Sequence, residues 1–172
     1  RLDDLRHFVE RTFRPVAEAK NVEFSVKFSE NLPESILTDP KRLQQIIKNL
    51  LNNAFKFTQH GGVSLSVRSA LSGWNTDHEV LDRAAYVLAF EVADTGIGIS
   101  PEKQQTIFEA FQQVDASASR NNGGTGLGLA ISHELSRLLG GEIRVVSNQG
   151  RGSTFTLYMP QTYSPSGASR KL

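Results

Sequence analysis

Cysteine is absent from the 172 residues. Disulfides, thiol nucleophiles and cysteine-held zinc are thereby excluded, and a reducing compartment is permitted. A charge excess is missing as well: 19 basic residues oppose 18 acidic ones, for a formal net charge of +1. A chain so balanced lacks the basic surplus by which a dedicated nucleic-acid binder holds phosphate backbones, so no nucleic-acid partner is expected. Long apolar runs are also missing. The longest, Ala84 to Phe90, falls far short of the ~20 residues of a membrane-spanning helix and has the length of a buried strand. No signal peptide is visible, so no direct membrane contact is expected of this segment and a cytoplasmic location is. Arg1 stands where a methionine would start a chain, and an excerpt from a longer protein, with room for a membrane anchor elsewhere in it, is expected. The four histidines, His7, His60, His78 and His133, are scattered, which argues against a histidine metal site.

What is present suits one globular domain, with 38% hydrophobic and 22% charged residues. Leu2, Leu5, Phe8, Val9, Thr12, Phe13 and Val16 recur at helical spacing. Residues 1–20 are therefore expected as one amphipathic helix, connecting to the domain proper at 21–160. Val22, Phe24, Val26 and Phe28 alternate as a strand. Asp39-Pro40 offers a helix start, an N-cap acceptor followed by a residue with no N–H to leave unpaired. The apolar face of that helix is Leu43, Ile46, Ile47, Leu50, Leu51 and Ala54. Val63, Leu65 and Val67 form a second strand and Tyr86, Leu88, Phe90 and Val92 a third, joined by a polar stretch from Ser69 to Ala85 that predicts an extended hairpin connection.

Ser100-Pro101 predicts a short helix, and Gln112 to Gly123 a mobile loop of small and polar residues. A helix from about Gly126 to Leu139 follows, with Leu127, Ile131, Leu135 and Leu138 expected inside, and Gly140-Gly141 ends it. Two closing strands, Glu142 to Ser147 and Ser153 to Met159, share a tight turn, and residues 161–172 read as a flexible linker. The expected class is α+β: a two-layer sandwich with a mixed, mostly antiparallel sheet, helices on one face and the other face more exposed.

Three stretches carry chemistry, and each has an ordinary structural reading when taken alone. In "NLLNNAFKF" (Asn49 to Phe57), Asn49, Asn53 and Lys56 fall on one helical stripe. Neutral amide oxygens with one ammonium suit Mg²⁺ and phosphate held together, and a solvated polar face fits equally. In "DTGIGIS" (Asp94 to Ser100), a strand-end aspartate can accept an amine hydrogen bond and the glycines can admit a ligand to the backbone. A tight turn with an Asx cap gives the same letters. In "GGTGLGLAIS" (Gly123 to Ser132), glycines run into a helix, which makes either a flexible turn or an anion cradle of bare N–H groups. No G-x-x-x-x-G-K-[ST] string exists, and Gly124, Gly126 and Gly128 recur every second residue rather than in the Rossmann spacing.

In order and spacing these motifs, together with "IFEAFQQVD" (Ile107 to Asp115) and "GRGSTF" (Gly150 to Phe155), resemble the catalytic and ATP-binding domain of bacterial sensor histidine kinases. That domain has the Bergerat (GHKL) fold, shared with gyrase and MutL. The resemblance spans roughly Asn31 to Pro160, and "NAFKFT" and "FEAFQQVD" are most similar to hybrid-type kinases.

The resemblance implies ATP and Mg²⁺ as cofactors. It implies that Asn53 ligates the metal with Asn49 beside it, that Lys56 neutralises phosphate charge and that Phe57 flanks adenine. Asp94 would accept the adenine amino group within the turn of Gly96, Gly98 and Ile99, with Thr154 assisting through water. Residues 112–123 would be an ATP lid, anchored by Phe108 and Phe111, and Gly124, Thr125, Gly126, Leu127 and Gly128 would meet the phosphates. The implied partners are a dimerisation and histidine-phosphotransfer domain of the same protein and a downstream response-regulator receiver domain. "HELSRLL" from His133 imitates a phosphoacceptor box but lacks its proline, having Leu138 in that place, and a helix-surface histidine is expected. The clamp ATPases of the superfamily use a glutamate base where this chain has Asn49, which favours the kinase class over a clamp ATPase or a non-catalytic nucleotide-binding module.

Overall fold

The computed structural model describes residues 1–96, 125–148 and 151–162. In chain order these form helix α1 (Leu2–Lys20), strand β1 (Glu23–Phe28), helix α2 (Pro40–Lys56), strand β2 (Gly62–Ala70) and short helix α3 (Glu79–Arg83). Strand β3 (Val87–Asp94), helix α4 (Thr125–Leu138) and strands β4 (Glu142–Asn148) and β5 (Gly152–Pro160) complete them. The strands make one sheet in the order β1-β2-β3-β5-β4. β1 and β2 are parallel and the other neighbours antiparallel, so the α+β sandwich with a mixed, mostly antiparallel sheet is what the chain forms. The expected short helix from Ser100, the loop 112–123, Phe108 and Phe111 lie outside the described residues.

Strand alternation sorts the sheet into two faces. Phe24, Val63, Leu65, Val67, Leu88, Phe90, Val92, Phe155, Leu157 and Met159 turn to α1, α2 and α4 in one core cluster. Helix α2 starts where its sequence says it should: the Asp39 carboxylate accepts the amides of Lys41 and Arg42, with Pro40 in the first turn. Phe55, near its other end, stacks on Phe13 at 5.8 Å and meets Phe24 edge-on at 5.3 Å. Lys20 Nζ donates to the Phe55 carbonyl oxygen, where the negative end of the α2 dipole favours a cation.

Four expectations need correction. Helix α1 is no mere connector, since Leu2, Leu5, Val9, Phe13 and Ala17 are buried in the same core as α2 and the sheet; an amphipathic stripe that strong can be satisfied only by burial. The stretch 69–85 does join the antiparallel neighbours β2 and β3, as expected of a hairpin connection, but it is not irregular throughout. It contains α3, and Leu81 packs with Ala70, Val87, Ala89 and Tyr158 on the opposite face of the sheet, with Trp74 edge-on to Tyr158. That face is therefore covered at one end. On α4 the buried residues are Leu129, Ala130, Ser132, Ser136 and Leu139; of the expected set Leu135 packs against the core while Leu138 is exposed, and the side chain of Leu127 lies outside the described residues. Two serines at buried positions disguise the stripe as polar. Gln161 and Thr162 are not linker either. The Gln161 carbonyl accepts from the Leu37 amide at 2.7 Å, and Thr162 bridges Leu37. The first turn of α1 is tied to the same loop, Leu2 N donating to Glu34 O at 3.1 Å, so both ends of the domain meet at the pole opposite Asp94.

The aromatic trio fixes α1 and β1 to α2, and Phe55→Ala would leave a cavity among all three. The expected outcome is a loss of about 3–5 kcal/mol in a denaturant titration of the chain. A loss under about 1 kcal/mol would mean that the site collapses freely.

Candidate functional site

The apolar face of α2 sets the direction of its other residues. Leu43, Ile46, Ile47, Leu50, Leu51, Ala54 and Phe55 are buried, leaving Asn49 and Asn53 half-buried and Lys56 exposed along the expected stripe. The Asn53 Oδ1 atom is buried and has no hydrogen-bond partner. An acceptor in that state costs free energy unless something comes to it. Among the described residues no group of three or more His, Cys, Asp or Glu could hold a metal. A cation here would therefore take amide oxygen together with oxygens of a bound phosphate, which fits Mg²⁺. Lys56 Nζ lies 5.9 Å from the Phe57 ring centroid, and Phe57 caps the helix, its amide donating to Asn53 O.

The end of β3 is packed against the end of α2 with no room to spare. A Cβ at Gly96 would stand 2.2 Å from the Phe57 carbonyl oxygen and 3.0 Å from Asp94 Oδ1. Glycine is thus required here by α2 itself, where the sequence suggested ligand access. Two more glycines close on the same turn with positive φ. A Cβ at Gly61 would lie 2.1 Å from Thr95 Oγ1, and one at Gly152 would lie 2.0 Å from Asp94 O. The Asp94 carboxylate accepts the Gly96 amide at 2.8 Å. Burial pushes its pKa above the ordinary 3.8, and hydrogen bonds from the Gly96 and Ser153 amides partly offset that rise.

Helix α4 is described from Thr125, so Thr125, Gly126, Leu127 and Gly128 lie in its first described turn. Asn49 Nδ2 donates to Ser132 Oγ at 3.2 Å, joining α4 to α2. Of the expected site residues, Asn49, Asn53, Lys56, Phe57, Asp94 and Gly96 are brought together on two elements. Gly98, Ile99 and Gly124 lie outside the described residues.

Thr154 is not placed where it was expected. It pairs with Ala93 and by strand alternation turns to the opposite face of the sheet. Ser153 pairs with Asp94, is buried on the helix side, and bonds Ser147 Oγ at 2.8 Å. The signal was available: Phe155, Leu157 and Met159 alternate as core residues, which puts Ser153 in phase with them and Thr154 out. Ser132, Gly61 and Gly152 were also missed, because each matters through a partner distant in sequence. His133 lies half-buried on α4, and desolvation pushes its pKa below the ordinary 6.5.

A model of the family "Histidine kinase-, DNA gyrase B-, and HSP90-like ATPase" matches residues 38–163. The chain belongs to this family. Among curated relatives, signal transduction histidine-protein kinase BarA of Escherichia coli is 41% identical over 147 residues, covering 85% of this chain and 15% of that protein. Circadian input-output histidine kinase CikA of Synechococcus elongatus is 48% identical over 124 residues, covering 72% of this chain and 15% of that one. The chain thus spans about 15% of the length of these relatives. Among solved structures, full-length ShkA in complex with AMPPNP superposes with a TM-score of 0.71 at 35% identity, over 95% of this chain and 31% of that one. The catalytic domain of histidine kinase ThkA, at 21% identity and a TM-score of 0.64 over 94% of this chain and 92% of that one, shares the fold. Among the described residues, no helix of this family member is long and apolar enough to cross a membrane.

Two outcomes test the geometry at Asp94. Gly96→Ala must displace Phe57 O and is expected to destabilise the chain by roughly 1–3 kcal/mol; an unchanged denaturation midpoint would refute the close packing. For Asp94→Asn the sign follows from linkage. A carboxyl whose folded pKa is raised binds more protons folded than unfolded, so its contribution to stability falls as pH rises from 3.8 to the folded value. The stability of Asp94→Asn relative to the parent should therefore increase across that window in paired denaturant titrations, and a difference independent of pH would contradict the desolvation.

Proposed function

We propose that this chain is the ATP-binding catalytic domain of a two-component sensor histidine kinase. In this reading it transfers the γ-phosphoryl group of Mg-ATP to a histidine on a separate dimerisation and phosphotransfer domain, from which a response-regulator receiver domain is served. The observation that carries it is the meeting of the α2 terminus with the β3 terminus at Gly96, where Phe57 O and Asp94 Oδ1 crowd one Cα. An adenine-sized ring flanked by Phe57 would then have the Asp94 carboxylate in its plane to accept the exocyclic amino group. Gly96 would form the floor of that pocket.

Phosphate would extend from the base along the α2 stripe toward the start of α4. Lys56 would supply positive charge and the amides of Thr125, Gly126, Leu127 and Gly128 would supply donors, with Gly124 just before them in sequence. Asn53, whose buried Oδ1 has no partner, would hold Mg²⁺ with Asn49 beside it. When bound, the metal would neutralise charge on the transferring group, as in phosphoryl transfer generally. The remaining work of the chain is positioning and exclusion of water, since Asn49 has no proton-accepting carboxylate and donates its amide to Ser132. Slow hydrolysis is expected for that reason, in contrast with a clamp ATPase.

The decisive assay supplies γ-labelled ATP and a dimeric helical hairpin bearing the acceptor histidine. The chain should label the hairpin but not itself, giving an acid-labile, base-stable product. Asp94→Ala should weaken ATP binding about ten- to a hundredfold by loss of a charged hydrogen bond and erase the preference over GTP. Rapid hydrolysis by the chain alone would make it a clamp ATPase, and tight ATP binding with no transfer to its cognate acceptor would make it a regulatory binder.

A further inference from the structure

Helix α4 buries two hydroxyls, Ser132 at 0% and Ser136 at 1% exposure. A buried hydroxyl is tolerated only when it is hydrogen-bonded. Ser136 is satisfied within its own helix, donating to His133 O at 2.7 Å. Ser132 reaches across to the other helix and accepts from Asn49 Nδ2 at 3.2 Å. This bond lies one helical turn before Asn53 on α2 and about two turns from the first residue of α4. It is a directional tie beside the buried apolar residues Leu50, Leu129 and Leu139, and it adds to their packing a specific pairing of one polar side chain from each helix.

We propose that Ser132 is a positioning residue for the phosphate end of the nucleotide site. In this pairing the Nδ2 edge of the Asn49 carboxamide is turned to α4. The bond also locks the rotation of α4, and with it the amides of Thr125 to Gly128, to the α2 stripe of Asn49, Asn53 and Lys56. The proposal rests on the nucleotide-binding reading given above. Sequence alone could not have supplied it, because a serine at this position reads as the polar side of a helix.

The test compares Ser132→Thr with Ser132→Val, which match in shape and differ in the hydroxyl. The parent is titrated first with AMPPNP, with and without Mg²⁺, by calorimetry; failure of the parent to bind defeats the nucleotide reading and not the positioning role. Given binding, Ser132→Val should weaken the magnesium-dependent component about three- to tenfold, the worth of one hydrogen bond, while Ser132→Thr stays near the parent. Combined with Asn49→Ala, Ser132→Ala should add nothing further, since both remove the same interaction. Equal affinities for the Thr and Val variants, or additive losses in the cycle, would overturn the proposal. A readout in the parent needs no variant: one Asn49 side-chain amide proton should exchange slowly with solvent in NMR spectra, and fast exchange of both would show that the bond is not held.

Discussion

The structure depends on the single angular setting of helix α2. Successive residues on a helix turn by a fixed angle, so burying seven apolar side chains against the sheet and α1 leaves no freedom in where the polar stripe points. Folding energy and site geometry are thereby the same quantity. The stacking of Phe13, Phe24 and Phe55 that holds the helix down also fixes the height at which Asn53, Lys56 and Phe57 are presented. A site built this way needs little rearrangement to receive its ligand, because the cost of ordering these side chains is met by the core when the chain folds.

A second rigid element, the strand end at Asp94, is set against it. There the absence of side chains does the positioning: Gly61, Gly96 and Gly152 let backbone segments from three elements approach the turn more closely than any Cβ allows. The carboxylate in the middle is partly desolvated, which costs stability when it is charged. A half-buried acid held by two backbone amides and kept next to an aromatic cap is strained in the sense expected of binding sites, where a group is retained for what it meets rather than for what it stabilises.

How much of this could be read from the letters depended on the range of each interaction. The Asp39-Pro40 cap and the α2 stripe are local, and periodicity alone located Asn49, Asn53 and Lys56. The closing strands were located as well, but the choice between Ser153 and Thr154 needed the phase of Phe155 and Leu157 carried back two residues, and the register that sets Ser153 opposite Asp94. Within the stretch 69–85 the short helix α3 was not legible, because Trp74 and Leu81 find partners on β3 and β5 that lie close only after folding. The α4 stripe misled for a chemical reason: Ser132 and Ser136 are buried by virtue of hydrogen bonds that hydropathy does not register.

The tying of Leu2 and Thr162 to one loop, at the pole away from Asp94, has a mechanical consequence. Helix α1 runs 19 residues from that pole to Lys20 beside Phe55, a span of about 28 Å at the usual rise. Anything joined ahead of Leu2 holds the domain at the far end of a stiff lever. A pivot of about 10° there would carry the end of α2 near Phe55 through roughly 5 Å, the pitch of one helical turn. Small changes of angle at the attachment are thus converted into the difference between a reacting distance and a gap.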